Sequence, residues 1–354
     1  MMKMPSIKRL TSTVIIATLC LSVLGAVVSL GVPRSDVRAA QKADIKLKFN
    51  SDKKFKIVQF TDTQDTQNID PRTVSLMKVV LEQEKPDLVV FTGDNIRGCD
   101  TKDDLKQAID KIAAPVEEKQ IPWLITFGNH DEETKGVNED EMLIIYMAYA
   151  YNINKTSPKD VQGTGNMNVL INSSKGNKPV FNIWALDSGR YAPQTISEQG
   201  LGGYDWIKFS QIKWYYDTSV KLEAENKKKI PSLMFFHIPL IEFGQMWAAK
   251  DTHNVTGEKN ETECPGAINS GLFSAMLERG DVKGVFVGHD HVNDYVGNYY
   301  GITLGYSAST GFGTYGLGGD QNNRMRGARV FNLNEDNLDN FETHMIFAKD
   351  LGIQ

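Results

Sequence analysis

Trp123-Leu124-Ile125-Thr126-Phe127-Gly128-Asn129-His130-Asp131 opens as a buried strand and closes on a cluster of metal-ligating side chains. The pattern recurs along the chain. Phe55 to Phe60 runs into Thr61-Asp62-Thr63-Gln64, and Leu88-Val89-Val90-Phe91 ends at Gly93-Asp94-Asn95. Leu233-Met234-Phe235-Phe236 delivers His237, and Val282 to Val287 delivers Gly288-His289-Asp290-His291. Short apolar runs of this kind read as strands buried on both faces. Each polar group therefore stands past the carboxyl end of a strand, where sheets with crossover helices collect their ligands. Four of the six histidines fall at such ends, which turn formation alone does not explain. Carboxylate, amide and imidazole groups arriving from separate strand ends are what two adjacent divalent cations require.

Helical signals separate the strands. Asp70-Pro71 reads as an N-cap with proline at the first helical position, and Val74, Met77 and Leu81 form an apolar stripe that must stop before Pro86. Thr101-x-x-Asp104 is a capping box, followed by Leu105, Ile109, Ile112 and Val116 on one helical face. The pattern continues with a strand at Val180–Leu186, a helix at about Ser210–Glu225 and another near Ser270–Arg279. This alternation predicts a sheet covered by helices. Ala328–Leu333 and Phe341–Phe347 read as part of a second, more antiparallel sheet, and the stretch from 242 to 267 as an irregular inserted loop.

The chain has 354 residues, 41% hydrophobic and 23% charged, and no linker, low-complexity tract or repeat divides it. A net charge of −5 argues against a general nucleic-acid binder, so no stable nucleic-acid complex is expected. Lys227-Lys228-Lys229 reads as the solvated end of a helix. Lys3, Lys8 and Arg9 precede an apolar run from Leu10 to Val32, and Val37-Arg38-Ala39 offers a small-residue cleavage site. Residues 1–39 thus read as an export signal peptide, placing the mature chain outside the cytoplasm. The other reading is an uncleaved membrane anchor, since the run is long enough to span a bilayer. Leu19 is too bulky for Cys20 to be a lipid-modified cysteine. Cleavage would leave Cys99 and Cys264, either paired across the rim of the site or as two free thiols.

Taken in order, Asp62-Thr63-Gln64, Gly93-Asp94, Gly128-Asn129-His130-Asp131, His237 and Gly288-His289-Asp290-His291 resemble the blocks of the calcineurin-like metallophosphoesterase superfamily. Phe236-His237-Ile238-Pro239, Asn269-Ser270-Gly271-Leu272-Phe273 and the run from Gly288 to Asp294 resemble the branch related to purple acid phosphatases. The resemblance covers Phe55 to His291. It implies an α/β (α+β) fold in which two mixed sheets pack face to face with helices outside, a four-layer αββα sandwich spanning residues 40–354. It also implies two divalent ions, Mn, Fe, Zn or Mg. Asp94 would bridge them, with Asp62 and His291 on one and Asn129, His237 and His289 on the other. The implied reaction is hydrolysis of phosphate mono- or diesters by hydroxide held between the ions, on a phosphorylated small molecule, lipid or nucleotide. His130 would stand at the leaving-group side, with Asp131 orienting its ring, and Asn129 and His130 would contact substrate.

The chain departs from the family pattern at two places. Gln64 stands where histidine is usual, and Arg97 lies three residues after Asp94, where a purple enzyme has tyrosine. Gln64 either donates its carboxamide oxygen, making an oxygen-rich site, or binds no metal and leaves one ion weakly held. A same-fold binding protein with weakened or lost turnover is therefore the alternative function. Asp65 is a lesser ligand candidate, and Arg97 and His253 are candidates for substrate contact. Tyr204, Trp206 and Trp247 would line a substrate wall or belong to the core. The run from Ser309 to Gly316 lacks the ending of a phosphate-cradling P-loop and reads as a close-packed turn near the metals.

Overall fold

A computed structural model describes residues 45–200, 202–317 and 325–353. The signal-peptide reading of residues 1–39 lies outside them. Among the described residues no helix is long and apolar enough to cross a membrane.

The strands carry apolar side chains on both faces and feed two cores, so the sheets are covered on both sides. In β1 (Lys54–Phe60), Phe55 and Ile57 point one way while Val58 and Phe60 point the other. In β2 (Leu88–Thr92), Leu88 and Val90 oppose Val89 and Phe91 in the same manner. This period of two is the pleat acting on an apolar run. β1, β2 and β3 (Trp123–Thr126) are parallel neighbours, joined by α1 (Pro71–Glu84) and α2 (Lys102–Glu118). Asp70 caps α1 by accepting from Arg72 N at 2.9 Å, and Lys85 ends it in a left-handed conformation. Thr101 caps α2, whose residues Leu105, Ile109, Ile112 and Val116 are all buried.

The second sheet runs in the order β4 (Met167–Asn172), β5 (Pro179–Ala185), β6 (Ser232–Phe235), β7 (Val282–Val287), β9 (Ile302–Tyr306), β8 (Val296–Tyr299). β5, β6, β7 and β9 are parallel, with β4 and β8 antiparallel at the edges. The helices α5 (Phe209–Asn226), α6 (Ile241–Ala248) and α7 (Leu272–Arg279) contribute to the core on its outer face. α5 ends at Lys227 in a left-handed conformation, so the three lysines do follow a helix.

Between the sheets lies a third core, built from the inward residues of β1, β2, β5, β6, β7 and β10 (Gly327–Asn334). Phe286 of β7 meets Phe331 of β10 at 4.5 Å between ring centroids, and Phe235 meets Phe331 at 5.5 Å. Each such buried ring contributes about 1.5–3 kcal/mol by leaving water. The layers are therefore helix, sheet, sheet, helix, the expected αββα sandwich.

Two expectations are corrected here. The C-terminal strands β10 (Gly327–Asn334) and β11 (Phe341–Phe347) do not form the second sheet. β10 pairs antiparallel with β1 and β11 extends it, giving a first sheet ordered β11-β10-β1-β2-β3. Their alternation signalled an antiparallel edge but not which sheet owned it. Nor is the 242–267 stretch irregular throughout. It opens with α6, where Phe243 and Met246 are buried one turn apart, and bridges at Thr256 and Lys259 tie its later part to Val296 and Asn293. Among the described residues Cys99 and Cys264 are both free, so no disulfide joins them.

Candidate metal centre

Five strand ends bring six ligand-type residues together. Asp62, Asp94 and Asn129 follow β1, β2 and β3 of the first sheet, and His237, His289 and His291 follow β6 and β7 of the second. All six are buried. Ligand atoms of Asp94, His237 and His289 lie within 4.8 Å of one another, and so do those of Asp62, Asp94 and His291. Asp94 belongs to both groups, which is the position of a bridge. His237 Nε2 stands 3.2 Å from Asp94 Oδ2, and His291 Nε2 stands 3.3 Å from Asp62 Oδ1.

The backbone is bent to achieve this. Asp62, Gln64, Asp94 and His289 all take positive φ, of 50°, 34°, 47° and 76°. Left-handed backbone at non-glycine residues costs of order 1–3 kcal/mol each and persists where surrounding structure over-determines it. Here the surroundings are hydrogen bonds and close packing. Thr61 Oγ1 donates to Asp62 Oδ2 at 2.7 Å, and His289 N donates to the same oxygen at 3.1 Å. His130 N donates to Asp94 Oδ1 at 2.8 Å. A Cβ on Gly128 would overlap Asp94, and one on Gly288 would stand 2.6 Å from Asp62 Oδ2. Only glycine lets these loops approach so closely.

The electrostatics call for positive charge. Burial alone would raise Asp94, yet His237 beside it and the His130 N–H hold its carboxyl well below the usual range. Asp62 is likewise held low against burial, chiefly by His291 and then by His237. Burial would lower His237, but Asp94 and then Asp62 outweigh it and push the ring up to about 10. His289 is pulled down to about 3 by burial and by the neighbouring His237. A protonated imidazole thus neutralises two buried carboxylates where divalent cations would do so more fully. One further observation fits a cation: Asn129 Oδ1 is buried without a hydrogen-bond partner, although its Nδ2 donates to Tyr191 Oη at 3.4 Å. An orphaned buried carbonyl oxygen costs about 1–3 kcal/mol unless something accepts its lone pairs. The donor set of carboxylates, amide oxygen and imidazoles suits Mn, Fe, Zn or Mg.

Gln64 lies at the edge of this group, 6% exposed, with Oε1 accepting from Thr314 Oγ1 at 2.6 Å. Thr314 belongs to the 309–316 run, which packs against the first loop through Thr310 N to Thr61 O and Gly311 N to Asp62 O. It is therefore a close-packed turn beside the centre. Asp65 is a loop brace rather than a ligand or a solvated carboxylate: it is buried and accepts from Thr66 N and Asp70 N, both at 2.8 Å.

His130 is partly exposed, and its Nδ1 lies 2.5 Å from Glu133 Oε1. This corrects the role expected for Asp131. The Asp131 side chain turns inward, Oδ1 accepting from Asn95 N and Ile96 N and Oδ2 from Gly128 N and Asn95 Nδ2. With its oxygens spent on two ligand-bearing loops, Asp131 is a structural brace, and Glu133 orients His130. Adjacent carboxylates at 131, 132 and 133 gave no sequence signal as to which would face the ring. His253 is also corrected. Its ring packs against Tyr299 and Tyr300 at centroid distances of 4.8 and 5.7 Å, and its Nδ1 contacts Asn298 O. That hairpin precedes β9, which runs parallel to β7, so it stands at the opposite end of the sheet from His289, roughly 17 Å of strand away. Arg97 is exposed on the loop after β2.

Sequence reasoning missed several residues around the centre. Tyr191 stacks on Tyr204, which meets the His289 ring edge-on at 4.3 Å. Tyr315 lies flat on His291 at 4.0 Å. Arg190 Nε donates to Asn129 O at 3.0 Å, and its Nη1 pairs with Glu132 at 3.0 Å. Of the aromatic residues singled out, Tyr204 is at the site, Trp247 packs on Tyr295, and Trp206 lies under the Lys208 ammonium.

Comparison with known proteins agrees with the geometry. The family model described as calcineurin-like phosphoesterase matches residues 55–293. A protein of Arabidopsis thaliana named "Probable inactive purple acid phosphatase 14" is 36% identical over 303 residues, covering 76% of this chain and 74% of that one. "Phosphatase DCR2" of Saccharomyces cerevisiae is 34% identical over 273 residues, covering 68% of this chain and 45% of that one. Among solved structures, a dimetal phosphatase from Danio rerio has a TM-score of 0.52 at 12% identity, over 83% of this chain and 99% of that one, a likeness of fold. With two thirds of its length matching the family model and its ligand blocks meeting in one buried cluster, the chain belongs to the calcineurin-like phosphoesterase family.

Proposed function

We propose that this chain is an exported, metal-dependent phosphoesterase that hydrolyses phosphate esters at the centre formed by Asp62, Asp94, Asn129, His237, His289 and His291. The observation that carries the reading is Asp94, a carboxylate common to two ligand groups, with the unpartnered Asn129 oxygen beside it. Bound there, two divalent cations supply Lewis-acid neutralisation of the phosphate oxygens and activation of water at neutral pH. The chain's own residues supply the rest. Asp62 and Asp94 hold negative charge in a buried site, and Tyr191 and Tyr204 wall one side of it. Glu133 takes the Nδ1 side of His130, which leaves Nε2 to give a proton to the departing alkoxide oxygen. Export rests on the N-terminal leader pattern.

The test is a matrix of Mn²⁺, Fe²⁺, Zn²⁺ and Co²⁺ against nitrophenyl phosphate and bis-nitrophenyl phosphate, with Asp94→Asn as control. Turnover abolished by Asp94→Asn is the expected result. A folded wild type inert under every combination refutes it and favours the second reading, a metal- or phosphate-binding protein of the same fold. That reading draws on Gln64, whose oxygen is engaged by Thr314, and on the word "inactive" in the names of the Arabidopsis relatives.

A further inference from the structure

Beside the metal centre opens a cavity of about 330 Å³, at the small end of the range for organic ligands. Its near wall is shared with the centre. Arg190 holds the backbone oxygen of Asn129, Tyr191 Oη contacts the Asn129 amide, and both line the cavity. Glu132, also in the wall, belongs to the same single turn as Glu133, which orients His130. The cavity therefore adjoins both the Asn129 loop and the turn that follows His130.

The lining is unusual in composition. Among the described residues, no aliphatic side chain contributes to it. Glu132, Asp187 and Asp205 offer carboxylate oxygens, while Arg190 and Lys208 offer donors. These charges are already matched, Glu132 with Arg190 and Asp205 with Lys208. Glu139 reaches the cavity with Oε1 buried and unpartnered; burial followed by the nearby Asp187 pushes its carboxyl up to about 10, and its proton is held in a hydrogen bond with Asp187. An acyl chain entering here would desolvate several charged groups without compensation. A second phosphate would meet carboxylates whose partner cations are already engaged. A nucleobase would find Trp206 covered by the Lys208 ammonium, 3.7 Å from the ring centroid. A string of hydroxyls is different, because each, being neutral, can donate to a wall carboxylate or to the unpartnered Glu139 Oε1 and accept from an N–H that Arg190 or Lys208 does not spend on its ion pair.

We infer that this cavity receives the alcohol portion of the substrate and that this portion is polyhydroxylated, a sugar or polyol monophosphate. The inference rests on the phosphoesterase reading and narrows its substrate class. In the metal-loaded enzyme, kcat/KM for glucose 6-phosphate and for glycerol phosphate is compared with that for butyl phosphate, which shares the reacting group but lacks the hydroxyls. The expected ratio is on the order of tenfold or more in favour of the hydroxylated esters. Lys208→Met removes a donor from the cavity wall and lowers the ratio severalfold, as does Glu139→Ala. The ratio cancels damage to the shared chemistry. Calorimetry on Asp94→Asn protein supplies a reading independent of turnover, with glucose 6-phosphate binding more tightly than butyl phosphate. An active enzyme with a flat ratio, unmoved in both variants, overturns the inference while leaving the reaction intact. Equal affinities in calorimetry overturn it even in a protein that proves inert.

Discussion

Replacing Asp131 with asparagine separates a brace from a catalytic partner. The carboxylate accepts from Asn95 N at 2.9 Å, Ile96 N at 3.0 Å and Gly128 N at 2.8 Å, with Asn95 Nδ2 at 3.3 Å. Asparagine can keep the two bonds to Oδ1. Its amide nitrogen then faces the two donors that Oδ2 satisfied, the Gly128 N–H and the Asn95 amide. Each buried donor left unpaired costs about 1–3 kcal/mol, giving a gross loss of roughly 2–6 kcal/mol. Removing a carboxylate that repels the nearby Asp94 returns some of this. The net loss of roughly 2–4 kcal/mol corresponds to a fall of about 3–6 °C in melting temperature for a domain of this size. Differential scanning calorimetry on metal-free protein gives that number directly. Glu133→Gln is the counterpart: it touches a partly exposed ion pair, so the melting temperature stays within about 1 °C while kcat falls roughly tenfold. An Asp131→Asn protein that melts like wild type but loses turnover would refute the brace and restore Asp131 as the partner of His130.

Three further outcomes are expected. Gly128→Ala, which drives a methyl group into Asp94, loses most of its bound metal by mass spectrometry after gel filtration; full retention would mean the loop has room that the structure denies. Gln64→His raises retention of the second metal equivalent after dialysis, because imidazole replaces an amide oxygen already bonded to Thr314; unchanged stoichiometry would mean Gln64 already ligates. Glu139 has its pKa raised by burial and then by Asp187, Glu132 and Asp131, against the opposing pull of Arg190. The native state therefore binds more protons than the unfolded chain above pH ~4.5, and stability falls as pH rises toward 10. In Glu139→Gln the slope of melting temperature between pH 6 and 9 flattens, and a slope identical to wild type would contradict the assignment.

Much of this architecture was legible because its strands are buried on both faces. Runs such as Leu88 to Phe91 and Val282 to Val287 need no alternation to be recognised, and their polar ends mark where chemistry collects. What stayed hidden depended on side-chain direction or tertiary partners. α3 (Glu139–Met147) follows a short loop and is apolar around much of its circumference, so its period is faint. β4 is an edge strand whose residues are mostly half-buried, a weak signal between polar loops. Sheet ownership of β10 was set by Phe331 meeting Phe235 and Phe286 across the sandwich, a contact no local pattern encodes. Around the centre, which residues converge followed from residue type and order. Which carboxylate faced His130, and which tyrosines stood beside the histidines, followed only from the paths of the loops.

Three of the ligands descend from one sheet and three from the other, so the metal centre sits across the seam of the molecule. The apolar filling between the sheets is non-directional and tolerates small slippage. Coordination bonds would not, since Asp62, Asp94 and Asn129 from one sheet and His237, His289 and His291 from the other would hold divalent ions only at one relative placement. Metal loading would then act as a clasp that sets the alignment of both halves of the fold. Any shear between them, from temperature, pressure or a bound partner, would be felt first as a change in the spacing of these six side chains.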